Sequence, residues 1–261
     1  MAALGVFSKL ERSAEVKISY HYDSGIGRRS ANEDCVGVNE WKNGYIFAVA
    51  DGMGKMPYGA LASKIAVETI LRMGEREKPS KSFTRQMYQL AERMLKKTTE
   101  IENFDRGVLK TTLSTLQLDL TEECFFLAHQ GDCRVYVFRG GECFVKTKDH
   151  SVAQKLVSQG KLTEGTMRQA PERMQITRIL GAGMEQACEA TDAYALMENM
   201  AFLLCTDGFW SSIEECEIAR LLRESTTPKE WIDRMEEQVI RNGSSQQIFD
   251  NYSAIAVFVT E

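Results

Sequence analysis

The chain has 261 residues, a formal net charge of −5 at pH 7 and a hydrophobic fraction of 43%. This length suits one large domain or two small ones, and the apolar content is enough for a substantial core. The negative charge argues against a general binder of nucleic acid or of anionic membranes. Only 4 prolines occur and no low-complexity linker is present, so we predict a single domain over residues 1–261.

The cysteines and the N-terminus indicate in which cellular compartment the protein resides. The chain has 7 cysteines, an odd number, and none of them forms a C-x-x-C pair. This usage is typical of a reduced intracellular protein rather than of a disulfide framework or a zinc site. Residues 1–13 lack a basic start followed by a long apolar region, and no apolar run approaches the roughly 18 residues of a membrane span. We therefore predict a cytoplasmic protein without a signal peptide or a membrane span.

Apolar segments with the character of β-strands recur along the chain. In chain order they are Tyr45–Ala50, Leu116–Leu120, Cys124–Ala128, Arg134–Phe138, Glu142–Lys146, Ala201–Cys205 and Ile255–Val259. Gly140 and Gly141 separate the fourth segment from the fifth, which predicts a hairpin.

Helical spacing of apolar residues lies between these strands. It covers Ala62–Met73, Phe83–Met94, Ile218–Leu222 and Trp231–Val239. Ser212 with Glu215 predicts a capping box for the third helix. Thr227, Pro228 and Glu230 predict the start of the fourth helix, and Gly243 predicts its end. Because the helices come in pairs between blocks of strands, the pattern favours antiparallel sheets with outer helices over a doubly wound parallel sheet.

Four aspartates lie at the ends of predicted strands. Asp51, Asp132 and Asp207 each follow an apolar strand, and Asp250 precedes one. Strand ends are fixed by packing, so carboxylates there can be held with the accuracy that a metal site needs. Carboxylate and water ligands suit Mg²⁺ or Mn²⁺. Each Asp taken singly is better explained as a turn residue; four together favour a metal site but leave the function open.

Seven segments of the chain resemble those of PP2C-type (PPM) protein phosphatases, particularly the compact bacterial members, and they occur in the family's order. The resemblance extends from about Ile18 to Val259 and rests on Gly27–Asp34, Val49–Gly54, Gly131–Arg134, Lys148–Ser151, Ile176–Gly181, Cys205–Gly208 and Asp250–Ser253. It implies an α+β fold, a four-layer α/β/β/α sandwich of two antiparallel sheets flanked by helices.

The resemblance also implies roles for individual residues. Asp51 would bridge two metal ions, and Asp207 and Asp250 would complete the first of them. Asp132, together with Asp207, would hold the third ion of bacterial relatives. Arg29 would bind the substrate phosphate.

Around the second ion, the resemblance implies the backbone carbonyl of Gly52, with Glu33 and Asp34 nearby and acting largely through water. The implied function is a metal-dependent phosphoprotein phosphatase that hydrolyses phosphoserine and phosphothreonine by attack of a metal-activated water. The cofactors would be two Mn²⁺ or Mg²⁺ ions with a possible third. The partners would be phosphorylated proteins, the substrates of a Ser/Thr kinase; the oligomeric state stays open.

Some features depart from the family or allow other interpretations. Lys55 stands where bacterial relatives usually have a glycine, which supports a second hypothesis: a module that binds phosphoproteins without turnover. Met56 follows Lys55 where a nucleotide-binding phosphate loop needs Ser or Thr. Asp149–Ser151 is better explained as a turn that caps a helix near Val152 than as a catalytic triad. The polar flap, roughly Gly160–Arg173, is either a substrate contact or a solvated loop.

Overall fold

The computed structural model describes residues 16–53, 57–105, 107–182, 187–244 and 249–260. Its strands are β1 Lys17–Gly25, β2 Asp34–Trp41, β3 Gly44–Met53, β4 Lys110–Thr111, β5 Leu113–Asp119, β6 Cys124–Gln130, β7 Arg134–Arg139, β8 Glu142–Lys146, β9 Glu189–Ala190, β10 Tyr194–Ala195, β11 Met200–Cys205 and β12 Tyr252–Thr260. Its α-helices are α1 Tyr58–Gly74, α2 Lys81–Ile101, α3 Val152–Ser158, α4 Glu164–Met167, α5 Asp207–Trp210, α6 Glu215–Arg223 and α7 Pro228–Ser244, and Pro171–Met174 is a 3₁₀ turn.

The strands form two antiparallel sheets. One has the order β1-β12-β11-β7-β8, and the other has the order β10-β6-β5-β3-β2, with β4 beside β3 and β9 beside β6. The predicted hairpin is confirmed, because β7 and β8 pair antiparallel. All pairings between these strands are antiparallel, as the grouping of helices and strands predicted.

Side-chain alternation along the central strands divides the core into layers. In β3, Ile46 and Ala48 pack against α1 and α2, whereas Phe47 and Val49 face the second sheet. The five-stranded sheet is covered on its outer side by a cluster that includes Trp231 of α7. The predicted four-layer sandwich is confirmed, and the central strands of each sheet are buried on both faces. No helix among the described residues is long and apolar enough to cross a membrane.

The capping box predicted at Ser212 is wrong. The chain turns first through α5, and the backbone N–H of Ser212 donates to the carbonyl of Phe209. Helix α6 then begins after Glu214, whose side chain makes no capping hydrogen bond. The physical reason is the additional short helix, which takes up the residues that would otherwise lead into α6.

The predicted start of α7 is confirmed, because Thr227 caps the helix as expected. The hydroxyl of Thr227 accepts from the backbone N–H of Glu230 at 3.1 Å. The Glu230 carboxylate reaches one residue further back than a capping box requires and accepts from the N–H of Thr226 at 2.9 Å. The predicted stop at Gly243 is wrong, because Gly243 lies within α7, which is described as far as Ser244.

The flap is anchored at its centre, although most residues of its first half, from 160 to 166, are exposed. It contains α4 and the 3₁₀ turn, Met167 is fully buried and the side chain of Arg168 is enclosed. The helix that precedes it is capped as predicted, since the Ser151 hydroxyl accepts from the N–H of Gln154 at 3.1 Å. The central residues of the flap are therefore packed onto the body of the protein.

Candidate metal centre

The strand-end aspartates meet at one end of the sandwich. Asp51 lies near the end of β3, Asp132 in the turn between β6 and β7, and Asp207 at the first position of α5, directly after β11. Asp250 lies two residues before the start of β12. These residues line one cavity of about 200 Å³, together with Arg29, Glu33, Gly52, Met53, Met174, Ile176 and Asn251. Segments far apart in sequence thus deliver four aspartates and one glutamate to a shared pocket.

Asp34 lies beside this pocket rather than in its lining. It pairs directly with Asp51 in the register of β2 and β3. Its Oδ2 accepts from the hydroxyls of Thr206 at 2.9 Å and Ser253 at 2.7 Å. Ser253, three residues after Asp250, thus supplies one of the two hydroxyls that hold this carboxyl group.

The carboxylates strongly perturb one another. Burial, followed by the charge of neighbouring carboxylates, raises the pKa of Asp51 and of Asp132 well above the usual range. Burial likewise raises the pKa of Asp34 to about 7, although two hydroxyls donate to it. Burial also raises the pKa of Asp207, against the opposing charge of Arg173. Such a concentration of carboxyl groups is costly for a fold unless a cation neutralises it.

Two buried oxygens support the fit of a cation to this site. Oε1 of Glu33 and Oδ1 of Asp34 have no hydrogen-bond partner within the part of the chain that the structure describes. Buried polar atoms are normally satisfied, so an unsatisfied pair beside a carboxylate pocket indicates an absent ligand such as an ion or its water. The donor set consists of oxygen atoms, which matches Mg²⁺ or Mn²⁺.

Two arginines contact the acidic residues. The guanidinium of Arg29 donates to Asp250 through Nε at 2.7 Å and Nη2 at 2.6 Å. The Nη1 of Arg173 donates to Oδ2 of Asp207 at 3.2 Å. Sequence analysis singled out Arg29 but not Arg173, which lies at the edge of the flap among polar residues and carries no local signal.

Asn251 was not given a role by the sequence, yet it holds the loop that carries Arg29 and Glu33. Its Nδ2 donates to the carbonyls of Ile26 at 2.8 Å and Ala31 at 2.9 Å. Its Oδ1 accepts from the N–H of Glu33 at 2.9 Å. One side chain therefore fixes both ends of the loop against the start of β12.

Close backbone approach explains the glycines beside Asp51 and Asp207. A Cβ at Gly52 would collide with the carbonyl of Gly59, and a Cβ at Gly208 would collide with the carbonyl of Asn251. Thr112, which lies between β4 and β5, adds a further constraint, because its hydroxyl accepts from the N–H of Asp51 at 3.1 Å. The backbone of the pocket is thus held by contacts that a larger side chain at either glycine would break.

A buried ion pair lies beneath the pocket. Arg134 donates to both oxygens of Asp149 at 2.8 and 2.9 Å, and the two side chains are 1% and 2% exposed. Replacing Arg134 with methionine should lower the free energy of unfolding by about 3 to 5 kcal/mol, because it leaves Asp149 buried and unpaired. Urea unfolding would measure this.

The matched control is Arg220→Met. Arg220 pairs with Glu217 and Glu224, and all three side chains are about 40% exposed. Exposed pairs contribute about 1 kcal/mol or less. Equal losses of stability in the two variants would contradict the role of burial at Arg134.

His129, His150 and Glu189 form a second cluster of ligand-type side chains. The two imidazole rings are stacked, with centroids 4.4 Å apart and planes at 9°. Nδ1 of His150 accepts from the N–H of Gly131 at 3.1 Å, so in the neutral ring Nε2 carries the proton that faces Glu189. Nε2 of His129 lies 2.7 Å from the carbonyl of Lys148, which likewise requires a proton there. These hydrogen bonds favour a structural role for the pair.

Lys55, the residue behind the binding-module hypothesis, lies outside the described residues, as does Gly54.

The fold and the pocket define an α+β protein with a buried carboxylate centre. A family model described as Protein phosphatase 2C matches residues 23–249, and the chain belongs to this family.

Individual relatives agree with this assignment. The serine/threonine phosphatase stp of Listeria monocytogenes strain EGD-e is 27% identical over 214 residues, which cover 78% of this chain and 82% of that protein. The catalytic domain of the phosphatase PstP, solved with two manganese ions, is 25% identical with a TM-score of 0.80, covering 94% of this chain and all of that one. The phosphatase MsPP of Mycobacterium smegmatis, solved with cacodylate, is 26% identical with a TM-score of 0.76, covering 92% of this chain and 97% of that one.

Proposed function

We propose that the protein is a metal-dependent phosphoprotein phosphatase that hydrolyses phosphoserine and phosphothreonine. The observation that carries the proposal is the pocket itself, which brings Asp51, Asp132, Asp207 and Asp250 together beside Arg29. Membership of the protein phosphatase 2C family supports the reaction class, and the two manganese ions of PstP support the dependence on metal.

Each group in the pocket has a distinct proposed task. Asp51, Asp207, Asp250 and the Gly52 carbonyl would hold two Mn²⁺ or Mg²⁺ ions, with Asp51 shared by both, Asp207 and Asp250 on the first and the Gly52 carbonyl on the second. Bound divalent ions supply a water of lowered pKa and shield phosphoryl charge. A third ion would lie between Asp132 and Asp207.

The remaining groups orient the substrate and the water shell. Arg29, once released from Asp250, can bind two phosphoryl oxygens with its planar guanidinium. Glu33 and Asp34 offer their unpaired oxygens to ordered water around the second ion. The protein partners are substrates of a Ser/Thr kinase, and we place the reaction in the cytoplasm.

A covalent cysteine mechanism does not fit the structure. Cys133 and Arg139 have the C-x₅-R spacing, but the residues between them form the extended strand β7, so they cannot surround one phosphate. Cys205, two residues before Asp207, is fully buried, and burial raises the pKa of its thiol. These observations support direct attack by water as the proposed mechanism.

The simplest test is hydrolysis of para-nitrophenyl phosphate with Mn²⁺ or Mg²⁺. We expect turnover that EDTA abolishes and added metal restores. Phosphoserine and phosphothreonine peptides then separate the enzyme from the binding-module hypothesis, which predicts peptide binding without phosphate release. Absence of EDTA-sensitive turnover with either metal would overturn the proposal.

Arg29→Lys should lower kcat/KM for para-nitrophenyl phosphate by about 10- to 100-fold. Lysine keeps the charge but loses the two-point geometry, and a hydrogen bond to a charged group contributes roughly 1.5 to 3 kcal/mol. Arg28→Lys is the matched control, because the neighbouring Arg28 points to the carbonyl of Ser244 at 2.7 Å instead. Similar values of kcat/KM for the two variants would contradict the proposed role of Arg29 in binding the substrate phosphate.

A further inference from the structure

Trp210 lies close to three arginines, one from strand β7 and two from the flap. It ends α5, the short helix that Asp207 begins, and its side chain is 1% exposed. The guanidinium carbon of Arg134 lies 3.5 Å from the centre of the indole, that of Arg168 lies 5.6 Å away, and that of Arg173 lies 5.9 Å away. Cations within about 6 Å of an indole face are attracted to it, most strongly where water is excluded.

The polar atoms of Trp210 join the same segments. Its Nε1 donates to the backbone carbonyl of Asp132 at 2.9 Å. Its own carbonyl accepts from Nη1 of Arg168, which also donates to the carbonyl of Ile213 at 3.0 Å. Trp210 therefore contacts the turn of Asp132, the helix of Asp207 and the flap that carries Arg168 and Arg173.

The turn that presents Asp132 needs such support. Gly131 has φ +117°, a conformation that L side chains rarely adopt. Gly131 exchanges two hydrogen bonds with His150, its N–H donating to Nδ1 at 3.1 Å and its carbonyl accepting from the His150 N–H at 2.9 Å. His150 thus fixes one side of the turn and the indole of Trp210 fixes the other. Without the indole, repulsion from neighbouring carboxylates would oppose the orientation of the Asp132 side chain.

We propose that Trp210 is a positioning residue that orients Asp132 for metal binding and couples that site to the flap. The inference rests on the proposed function, because it assumes that Asp132 and Asp207 hold a divalent ion. Groups that orient a metal ligand without touching the metal typically change metal affinity by about 10- to 100-fold. Coupling is reciprocal, so an ion at Asp132 should in turn stabilise the flap.

Trp210→Phe tests the proposal, with Trp231→Phe as the matched control. Both tryptophans are fully buried, and both donate Nε1 to a backbone carbonyl, but Trp231 donates to Ile218 at 3.1 Å on the outer helical layer. Isothermal titration with Mn²⁺ on the full chain should show the Kd of one site raised about 10-fold in Trp210→Phe. Trp231→Phe should titrate like the parent, although its melting temperature falls.

Limited trypsin digestion tests the coupling. Mn²⁺ should slow cleavage at Lys161 in the parent and in Trp231→Phe, but not in Trp210→Phe. If Trp210→Phe fails to fold, Arg168→Met removes the flap side of the same contact and should also lose the protection by Mn²⁺.

The outcomes separate this inference from the proposed function. Identical titrations and identical protection in Trp210→Phe and Trp231→Phe, with a parent that binds Mn²⁺ and turns over, would overturn the role of Trp210 alone. A parent that binds no Mn²⁺ would overturn both.

Discussion

Asp51→Asn is expected to lower Mn²⁺-dependent turnover of para-nitrophenyl phosphate by at least about 1,000-fold. Asp51 is the carboxylate proposed to bridge two ions, and an amide offers one neutral oxygen in place of two charged ones. Loss of several kcal/mol of charge stabilisation, about 4 kcal/mol, corresponds to this factor. Steady-state kinetics across a range of Mn²⁺ concentrations would measure it.

The matched control for Asp51→Asn is Asp119→Asn. Asp119 also ends a central strand, but it pairs with Gly44 at the other end of β3 and accepts from the N–H groups of Thr121 and Glu122 in a turn. This variant should keep the parent's turnover. Metal-free Asp51→Asn should be at least as stable as the metal-free parent, because one of several repelling carboxylates is removed. Turnover above a tenth of the parent's in Asp51→Asn would contradict the bridging role.

Metal-free protein is expected to lose stability as the pH rises from 6.5 to 8. Folding raises the pKa of Asp51, Asp132 and Asp207, and it raises that of Asp34 to about 7. The folded state therefore binds these protons more tightly than the unfolded chain. The resulting stability is complete below the ordinary carboxyl pKa, near 4, and is lost as the pH passes through the folded-state values.

The size of this effect follows from Asp34. Its pKa rises from 3.8 to about 7, so the full loss of stability from this group, spread from about pH 4 to above pH 7, is at most roughly 4 kcal/mol. Only about 1 kcal/mol of that loss falls between pH 6.5 and 8. Below pH 6.5 the histidines act in the opposite direction, because burial lowers the pKa of His129 and brings that of His150 to about 4. The loss of stability caused by the carboxyl groups should therefore be measured above pH 6.5, where the histidines no longer oppose it.

Urea unfolding at pH 6.5, 7.25 and 8 would measure the decline, with and without Mn²⁺ in excess over EDTA. Bound metal should remove most of the dependence, because it favours the ionised carboxylates. Asp51→Asn should flatten the metal-free curve. A metal-free parent that becomes more stable toward pH 8 would contradict the charge arrangement of the pocket.

The strands that were clearest in the sequence are those buried on both faces, whereas the largely exposed β8 was predicted from the Gly140–Gly141 turn before it. Tyr45–Ala50 and Ala201–Cys205 are nearly continuous apolar runs because each faces a helical layer and the opposite sheet. β1 and β2 were not predicted, since they are edge strands with many exposed or half-exposed residues and carry no strong periodicity. Ser212 failed as a cap because sequence spacing does not reveal the short helix before it.

Only some residues of the candidate site could be predicted from local sequence. The positions at strand ends were enough to predict four of them, Asp51, Asp132, Asp207 and Asp250. The residues of the Arg29 loop could be selected only from the family resemblance. Arg173, Trp210 and Asn251 received no role, because their contacts join segments distant in sequence and leave no local pattern. Such contacts appear only when the topology brings the flap, α5 and the turn of Asp132 together.

The most direct measurement is anomalous diffraction from a crystal of the parent protein soaked in Mn²⁺. The proposed function predicts two strong peaks in the pocket, both within bonding distance of the Asp51 carboxylate, with Asp207 and Asp250 on one of them. A pocket free of anomalous density at saturating Mn²⁺, or manganese bound only away from Asp51, would contradict it.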